Sequence, residues 1–419
     1  MRSEDTLKQP FPISLPKDKI KILLLEGISE TAVNAFKSAG YTQIDRRTKA
    51  LGGKELRAAL EGIRLLGIRS RTQITADVIE GVRSVVAIGC FSVGTNQVDL
   101  AACSTMGIPV FNAPFSNTRS VAELTIAETI MLMRRIFPKS VSAHGGGWDK
   151  SAVGSNEVRG KVLGIVGYGN IGSQLAVLAE AIGMRVIYYD HTDKLQHGNV
   201  EPTASLDELL AKADVVSLHV PETAATHRMI GAREIALMKE GAILINNPRG
   251  TVVDLDALAA ALAAQKLAGA AVDVFPEEPA SNADRFKSPL QGLDNVILTP
   301  HVGGSTEEAQ ERIGSEVARK LADYAETGAT FGAVGFPQVQ LPPHVGGTRF
   351  VHVHRNVPGV LTRLNQIFAG RNLNIASQYL QTDADIGYVV IDADGASAER
   401  AQVFEEMGRI DGTIRTRLL

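Results

Sequence analysis

The 419-residue chain is short of several features that would place it in a special class. It has two cysteines, Cys90 and Cys103, and their spacing fits neither a disulfide framework nor a zinc site. A reduced compartment with both thiols buried is the expectation. No apolar run is long enough to span a bilayer. The opening residues, MRSEDTLKQP, lack the apolar core of a secretion signal. Neither sign of charge is in excess: 43 Lys and Arg against 46 Asp and Glu leave −3, which argues against general nucleic-acid binding. There is no low-complexity tract and no short-period repeat. What remains is a soluble, cytoplasmic protein with enough apolar residues for sizeable cores. At roughly 150 residues per domain, about three domains are expected.

What is present is organised around residues 162–190. Residues 162–166 (VLGIV) read as a buried parallel strand. Gly167, Gly169 and Gly172 follow in the pattern G-x-G-x-x-G, with Asn170 and Ile171 between them. Residues 173–183 have helical periodicity, residues 184–189 (MRVIYY) read as a second strand, and Asp190 stands at its carboxyl end. This is the βαβ unit of a dinucleotide site. The first glycine allows a tight turn, the second lets a pyrophosphate approach the backbone, and the third lets the helix pack on the strand. The helix N-terminus offers N–H groups to phosphate. Asp190 can accept from the adenosine ribose hydroxyls and would repel a 2′-phosphate, so NAD is expected rather than NADP.

Around this unit the chain reads as α/β. Before it, strand and helix patterns alternate to about residue 111 without a second fingerprint. Residues 117–135 form a long helical pattern leading into the nucleotide domain, with Asn117 or Thr118 as a cap. After it, strands are expected at 214–219, 242–246, 269–274 and 296–299, giving a doubly wound parallel sheet. The helix at 307–326 is expected to return to the first domain, which is then flavodoxin-like and split in sequence. Residues 328–347, rich in glycine and proline, read as a linker. Beyond them the pattern βαββαβ predicts a ferredoxin-like module. The expected domains are a substrate-binding domain of residues 1–116 and 305–336, a nucleotide domain of 117–304, a linker of 337–347 and a regulatory module of 348–419.

Three residues could carry chemistry. Arg249, Glu278 and His301 each follow a strand of the nucleotide domain, at the carboxyl edge where open α/β sheets bind ligands. A guanidinium can hold a carboxylate and polarise a carbonyl. An imidazole can take a hydroxyl proton and return it. A carboxylate on the other ring nitrogen would orient that imidazole and stabilise its charged form. The set suits hydride exchange with a 2-hydroxy acid and needs no metal. Arg69 and Arg71, two apart on an extended segment, lie on one side of it and suit an anion. In the C-terminal module His352 and His354 share a strand face. No further ligand cluster accompanies them, so no metal site is expected.

Six runs carry a resemblance over nearly the whole chain: IGCFSVGTNQVD from Ile88, FNAPFSNTRSVAE from Phe111, the glycine motif, RGTVVD from Arg249, DVFPEEP from Asp273 and LTPHVGGSTEEAQ from Leu298. The sequence resembles the D-isomer-specific 2-hydroxyacid dehydrogenases, specifically the short bacterial type that ends in an ACT domain. The resemblance implies that Arg249, Glu278 and His301 are catalytic. It places cofactor contacts at Asn170, Ile171, Asp190, Asp273, His301, Val302, Gly303 and Gly304, with Asn247 and Pro248 lining the nicotinamide pocket. Pro248 departs from the alanine or serine expected there and removes a backbone N–H beside Arg249. Substrate contacts fall on Arg69, Arg71, Lys49 and Lys150, the last from a neighbouring subunit. Gly145 stands where the family often has arginine, near Trp148. In the run HVHRNVPGVL and at Asn374, the residues His354, Asn356 and Asn374 match an L-serine site. The implied activity is NAD-dependent oxidation of 3-phospho-D-glycerate to 3-phosphohydroxypyruvate, the first step of L-serine biosynthesis. The implied enzyme is inhibited by L-serine and assembled as a homo-oligomer, a tetramer. A broader 2-oxo acid reductase, for example of 2-oxoglutarate, and a non-catalytic NAD-sensing partner protein are the rival readings.

Overall fold

The computed structural model describes residues 15–279, 284–342, 347–394 and 397–419. Most of the expected N-terminal arm, and residues 343–346 of the expected linker, lie outside them. The chain forms two compact units, one running to Ser116 and resuming at Gln310, the other spanning Asn117–Ala309.

The first unit begins β1 (Lys21–Leu24), α1 (Glu30–Ser38), β2 (Gln43–Arg46), α2 (Gly53–Ala59), β3 (Leu65–Ile68), α3 (Ala76–Ile79), β4 (Ala87–Cys90), α4 (Leu100–Thr105) and β5 (Val110–Phe111). Ser29 and Asp99 cap α1 and α4 by accepting the N–H of Thr31 and Ala102. Strands β1, β3 and β4 are apolar runs buried on both faces, as strands covered by helices must be. Cys90 and Cys103 are buried in this core, and burial pushes the Cys103 thiol up to about 12.

The second unit runs α5 (Thr118–Met133), α6 (Ile136–His144), β6 (Val162–Val166), α7 (Asn170–Ala181), β7 (Arg185–Tyr189), β8 (Glu201–Pro202), α8 (Leu206–Lys212), β9 (Val215–Leu218), α9 (Ala232–Leu237), β10 (Ala242–Asn246), α10 (Leu255–Ala263), β11 (Leu267–Val272) and β12 (Val296–Leu298). Its strands pair in parallel in the order β12-β11-β10-β9-β6-β7-β8. The order reverses at β6, the switch point where a doubly wound sheet takes its ligand. Asn117 precedes α5 without a side-chain capping bond, contrary to the expected cap. The short helix α6 was not expected from the sequence; it buries no side chain and has Pro138 in its first turn, where proline is tolerated.

The chain then re-enters the first unit through α11 (Glu307–Thr327), β13 (Ala333–Val334), β14 (Thr348–Arg355), α12 (Val360–Gly370), β15 (Ile375–Thr382), β16 (Ile386–Ala393), α13 (Ser397–Gly408) and β17 (Thr413–Leu418). Strand β13 adds antiparallel to β5, completing the order β13-β5-β4-β3-β1-β2. The last four strands form an antiparallel sheet in the order β15-β16-β14-β17, the expected ferredoxin-like module.

The expected linker is not a loose tether over its described part. Ala329, Ala333, Phe336 and Val339 are buried, and the Thr330 hydroxyl donates to the Pro337 carbonyl. Apolar residues set between the glycines and prolines draw the segment onto the core. The C-terminal sheet joins that core through Val351, Val353, Tyr388 and Val390. Arg349 makes a two-pronged ion pair with Asp392 and donates to the Thr327 carbonyl, and Arg415 donates to Val85 O. Among the described residues no helix is long and apolar enough to cross a membrane.

Candidate active site

The nucleotide motif is built as its residue types require. Gly167 has φ 94°, and a Cβ there would lie 2.5 Å from His219 O. A Cβ on Gly172 would lie 2.3 Å from Gly167 O, so only glycine permits the helix to start this close to the strand. At Gly169 a Cβ would meet nothing within 4 Å, which leaves open space beside the N-terminus of α7 for a pyrophosphate. Asp190 stands just past β7, its carboxylate accepting from the N–H of Tyr168 (2.9 Å) and of Thr192 (3.1 Å). Burial would raise this carboxyl, but the N–H groups of Thr192 and Tyr168, the Thr192 hydroxyl and Lys194 hold it below the usual range. It is therefore held as an anion at the carboxyl end of β7. These residues fit NAD.

At the other end of the site the three expected catalytic residues follow β10, β11 and β12. The His301 Nδ1 lies 2.8 Å from Glu278 Oε2 and 3.1 Å from Oε1. That hydrogen bond raises the His301 pKa; burial opposes it, and the charges of Glu278 and Asp273 add to it. Burial alone would raise Glu278, but the bond to and charge of His301, the N–H of Phe275 and the charge of Arg249 hold it down. The pair is an imidazole matched through Nδ1 to a carboxylate. The His301 side chain is 52% exposed, so solutes can reach it.

His301 has a left-handed backbone, φ 55°. A residue with a Cβ adopts this at a cost, and such strain collects at functional sites. Asp273 is what holds it. Its carbonyl accepts the His301 N–H at 2.8 Å, and its carboxylate accepts from Thr299 Oγ1 (2.6 Å), Val302 N (2.8 Å) and Gly303 N (2.8 Å). Asp273 is fully buried. It was expected as a direct cofactor contact; in this conformation both oxygens are engaged by the turn that carries His301.

Arg249 lies on the loop after β10. A Cβ on Gly250 would sit 2.0 Å from the carbonyl carbon of Phe275, so glycine alone lets the Arg249 and Glu278 loops meet. Pro248 does not disrupt the loop: its carbonyl accepts from Arg249 Nη1 at 2.6 Å, and Asn246 Nδ2 donates to Arg249 O at 3.2 Å. Asn247 is buried and donates to Thr125 Oγ1 (3.1 Å) and Glu128 Oε2 (2.7 Å) on α5. Burial pushes the Glu128 carboxyl up to about 8, against the bond from Asn247 and helped by Asp273. The sequence reading missed Glu128. The available signal was an acid three residues after Thr125 and four before Leu132, on the buried face of α5.

Arg69 and Arg71 sit on the loop after β3, and Lys49 is exposed after β2. Lys150 is exposed in the second unit, near Trp148. In the C-terminal module Asn356 and Asn374 are exposed, whereas His354 is buried with Nδ1 3.3 Å from His352 Nδ1. Burial lowers the His354 pKa. Among the described residues no group of three or more His, Cys, Asp or Glu could hold a metal.

Residues 126–303 match the family described as D-isomer specific 2-hydroxyacid dehydrogenase, NAD binding domain, and residues 350–415 match an AHAS small subunit-like ACT domain. A solved D-lactate dehydrogenase from Aquifex aeolicus, complexed with NAD and lactic acid, is 31% identical with a TM-score of 0.63, covering 73% of this chain and 95% of that one. The chain belongs to the D-isomer-specific 2-hydroxyacid dehydrogenase family and is an NAD-dependent enzyme of it. Its full-length relatives are more specific. A D-3-phosphoglycerate dehydrogenase of Haemophilus influenzae is 55% identical over 97% of this chain and 99% of its own length. D-3-phosphoglycerate dehydrogenase 1 of Saccharomyces cerevisiae is 45% identical over 96% of this chain and 87% of its own.

Proposed function

We propose that the protein oxidises 3-phospho-D-glycerate to 3-phosphohydroxypyruvate with NAD, the first step of L-serine biosynthesis, in the cytoplasm. The observation that carries this is the His301–Glu278 pair at 2.8 Å beside Arg249, in a chain whose full-length relatives bear that activity in their name. His301 Nε2 takes the hydroxyl proton as the carbonyl forms, and the resulting imidazolium is stabilised by Glu278. Arg249 holds the carboxylate adjoining the reacting carbon and polarises its oxygen. Bound NAD supplies the hydride acceptor. Arg69, Arg71 and Lys49, with Lys150 from a neighbouring subunit, hold the remaining anionic charge of the substrate.

The regulatory reading is L-serine inhibition through His354, Asn356 and Asn374 of the C-terminal module. The assembly is a homo-oligomer, a tetramer, and Trp148, 85% exposed beside Lys150, offers an apolar surface for a neighbouring subunit to cover. The test follows NADH absorbance with purified protein, first with 3-phosphoglycerate and NAD, then with 2-oxoglutarate and NADH. Preference for the phosphorylated acid is expected. Preference for 2-oxoglutarate would make the protein a broader reductase, and no turnover of any 2-hydroxy or 2-oxo acid would leave an NAD sensor. L-Serine is expected to inhibit, and Asn356→Ala to relieve that inhibition while sparing uninhibited turnover.

A further inference from the structure

Glu26 follows β1 at the carboxyl edge of the first sheet and is 4% exposed. Its backbone is left-handed, φ 61°, a conformation that disfavours any residue with a Cβ. Its carboxylate would be raised by burial, yet the N–H groups of Arg71, Thr72 and Arg69 hold it below the usual range. A buried anion on strained backbone needs a return, and its hydrogen bonds show one. Oε1 accepts from Arg69 N at 3.0 Å and Thr72 N at 2.9 Å, and Oε2 accepts from Arg71 N at 3.0 Å. The N–H of Glu26 donates to Lys49 O at 3.2 Å. One residue therefore ties together the segments carrying Lys49, Arg69 and Arg71.

The loop is also held from its carbonyl side. Gln97, in the run GTNQVD, donates from Nε2 to Arg69 O at 2.7 Å and to Ser92 Oγ at 3.1 Å. With backbone N–H and carbonyl both satisfied from beneath, the guanidinium groups of Arg69 and Arg71 make no side-chain hydrogen bond among the described residues, and Arg71 has only a long ion pair to Glu26. The nearest carboxylate to either is Glu26 itself, with Oε2 3.7 Å from Arg71 Nε, longer than a hydrogen bond.

We infer that Glu26 is a positioning residue for substrate recognition: by clamping the 69–72 loop from within, it fixes the spacing of two guanidinium groups for a doubly anionic 2-hydroxy acid. The inference rests on the reading above that Arg69 and Arg71 hold substrate. A glutamine at position 26 offers one acceptor oxygen and an NH₂ aimed at a backbone N–H, so it cannot satisfy the three donors. An aspartate is one methylene too short.

Steady-state kinetics of the full-length enzyme test this. Glu26→Gln is expected to raise the KM for 3-phosphoglycerate about tenfold or more while kcat stays within about threefold, since the loop displaced carries binding and not proton transfer. The Kd for NAD should not move. The double variant Glu26→Gln/Arg71→Ala should raise KM by clearly less than the product of the two single effects, the non-additivity expected when one residue acts partly through the other. An unchanged or lowered KM in Glu26→Gln, or full additivity, overturns the role of Glu26. If Glu26→Gln does not fold, Gln97→Met carries the test: a raised KM at unchanged Kd for NAD supports the clamp, and an unchanged KM overturns it. Should Arg69→Ala and Arg71→Ala themselves leave KM unchanged, the substrate assignment of the arginines fails and this inference falls with it.

Discussion

In the nucleotide unit a buried carboxylate, Asp273, collects the N–H groups of Val302 and Gly303; in the other unit Glu26 collects those of Arg69, Arg71 and Thr72. Both acids lie beyond the carboxyl end of a parallel strand, and both support a loop carrying a basic side chain. They differ in where the strain sits. At Asp273 the held residue, His301, is left-handed (φ 55°); at Glu26 the holder is (φ 61°). His301, the proposed proton carrier, is thus itself forced into place, whereas Arg69 and Arg71, the proposed anion holders, have no left-handed backbone and the support beneath them bears the distortion. A general base needs one orientation within hydrogen-bond reach of one proton. Charge recognition tolerates more side-chain freedom once the loop is fixed.

The comparison breaks most visibly at its chemical end. His301→Ala should lower turnover by about 10²–10⁴, because the group proposed to accept the hydroxyl proton is gone. A rate unchanged from the parent would remove His301 from that role. Asp273→Asn tests the support in turn. An amide can accept through one oxygen but presents NH₂ toward a backbone donor, and a hydrogen bond to a charged group is worth about 1.5–3 kcal/mol. A fall in kcat of about 10–10² is expected, with the KM for 3-phosphoglycerate less affected. Equal effects of Asp273→Asn on kcat and KM would mean that the two carboxylates do not divide their labour.

Most of this architecture can be read without coordinates where short local spacing carries it. The glycine turn, the helix after it and Asp190 fall within one βαβ unit, and Arg249, Glu278 and His301 announce themselves by following apolar strands. Glu26 does not announce itself. Its partners lie 43, 45 and 46 residues further on, a distance over which no periodicity connects an acid to the N–H groups it serves. Backbone handedness at His301 is equally hidden, since it follows from where Asp273 waits. The apolar residues of 329–342 were outweighed by the glycines and prolines around them, so a packed segment looked like a tether.

A smaller effect is expected at the adenosine end. Asp190→Ala should raise the KM for NAD about tenfold, the loss of roughly 1.4 kcal/mol of hydrogen bonding. Because the carboxylate also holds Tyr168 N and Thr192 N, affinity alone does not isolate its contact with ribose. The ratio of NAD to NADP preference does: it should narrow, and an unmoved ratio would sink the ribose assignment.

The last prediction concerns stability rather than rate. Glu128 is buried on α5, and its carboxyl is raised from 4.5 to about 8 by that burial. Between those values the folded protein keeps the proton and the unfolded chain releases it, so stability must fall as pH rises. The protonated group's contribution is fully present below pH 4.5 and is lost as pH climbs through about 8. A shift of this size is on the order of 5 kcal/mol. Glu128→Gln retains an oxygen for the Asn247 amide and has no proton to lose. Its chemical-denaturation midpoint should therefore vary less with pH and should exceed that of the parent at pH 9, though not at pH 5. Parallel stability curves for the two proteins across that span would show that Glu128 is already ionised in the folded state, with the Asn247 hydrogen bond outweighing its burial.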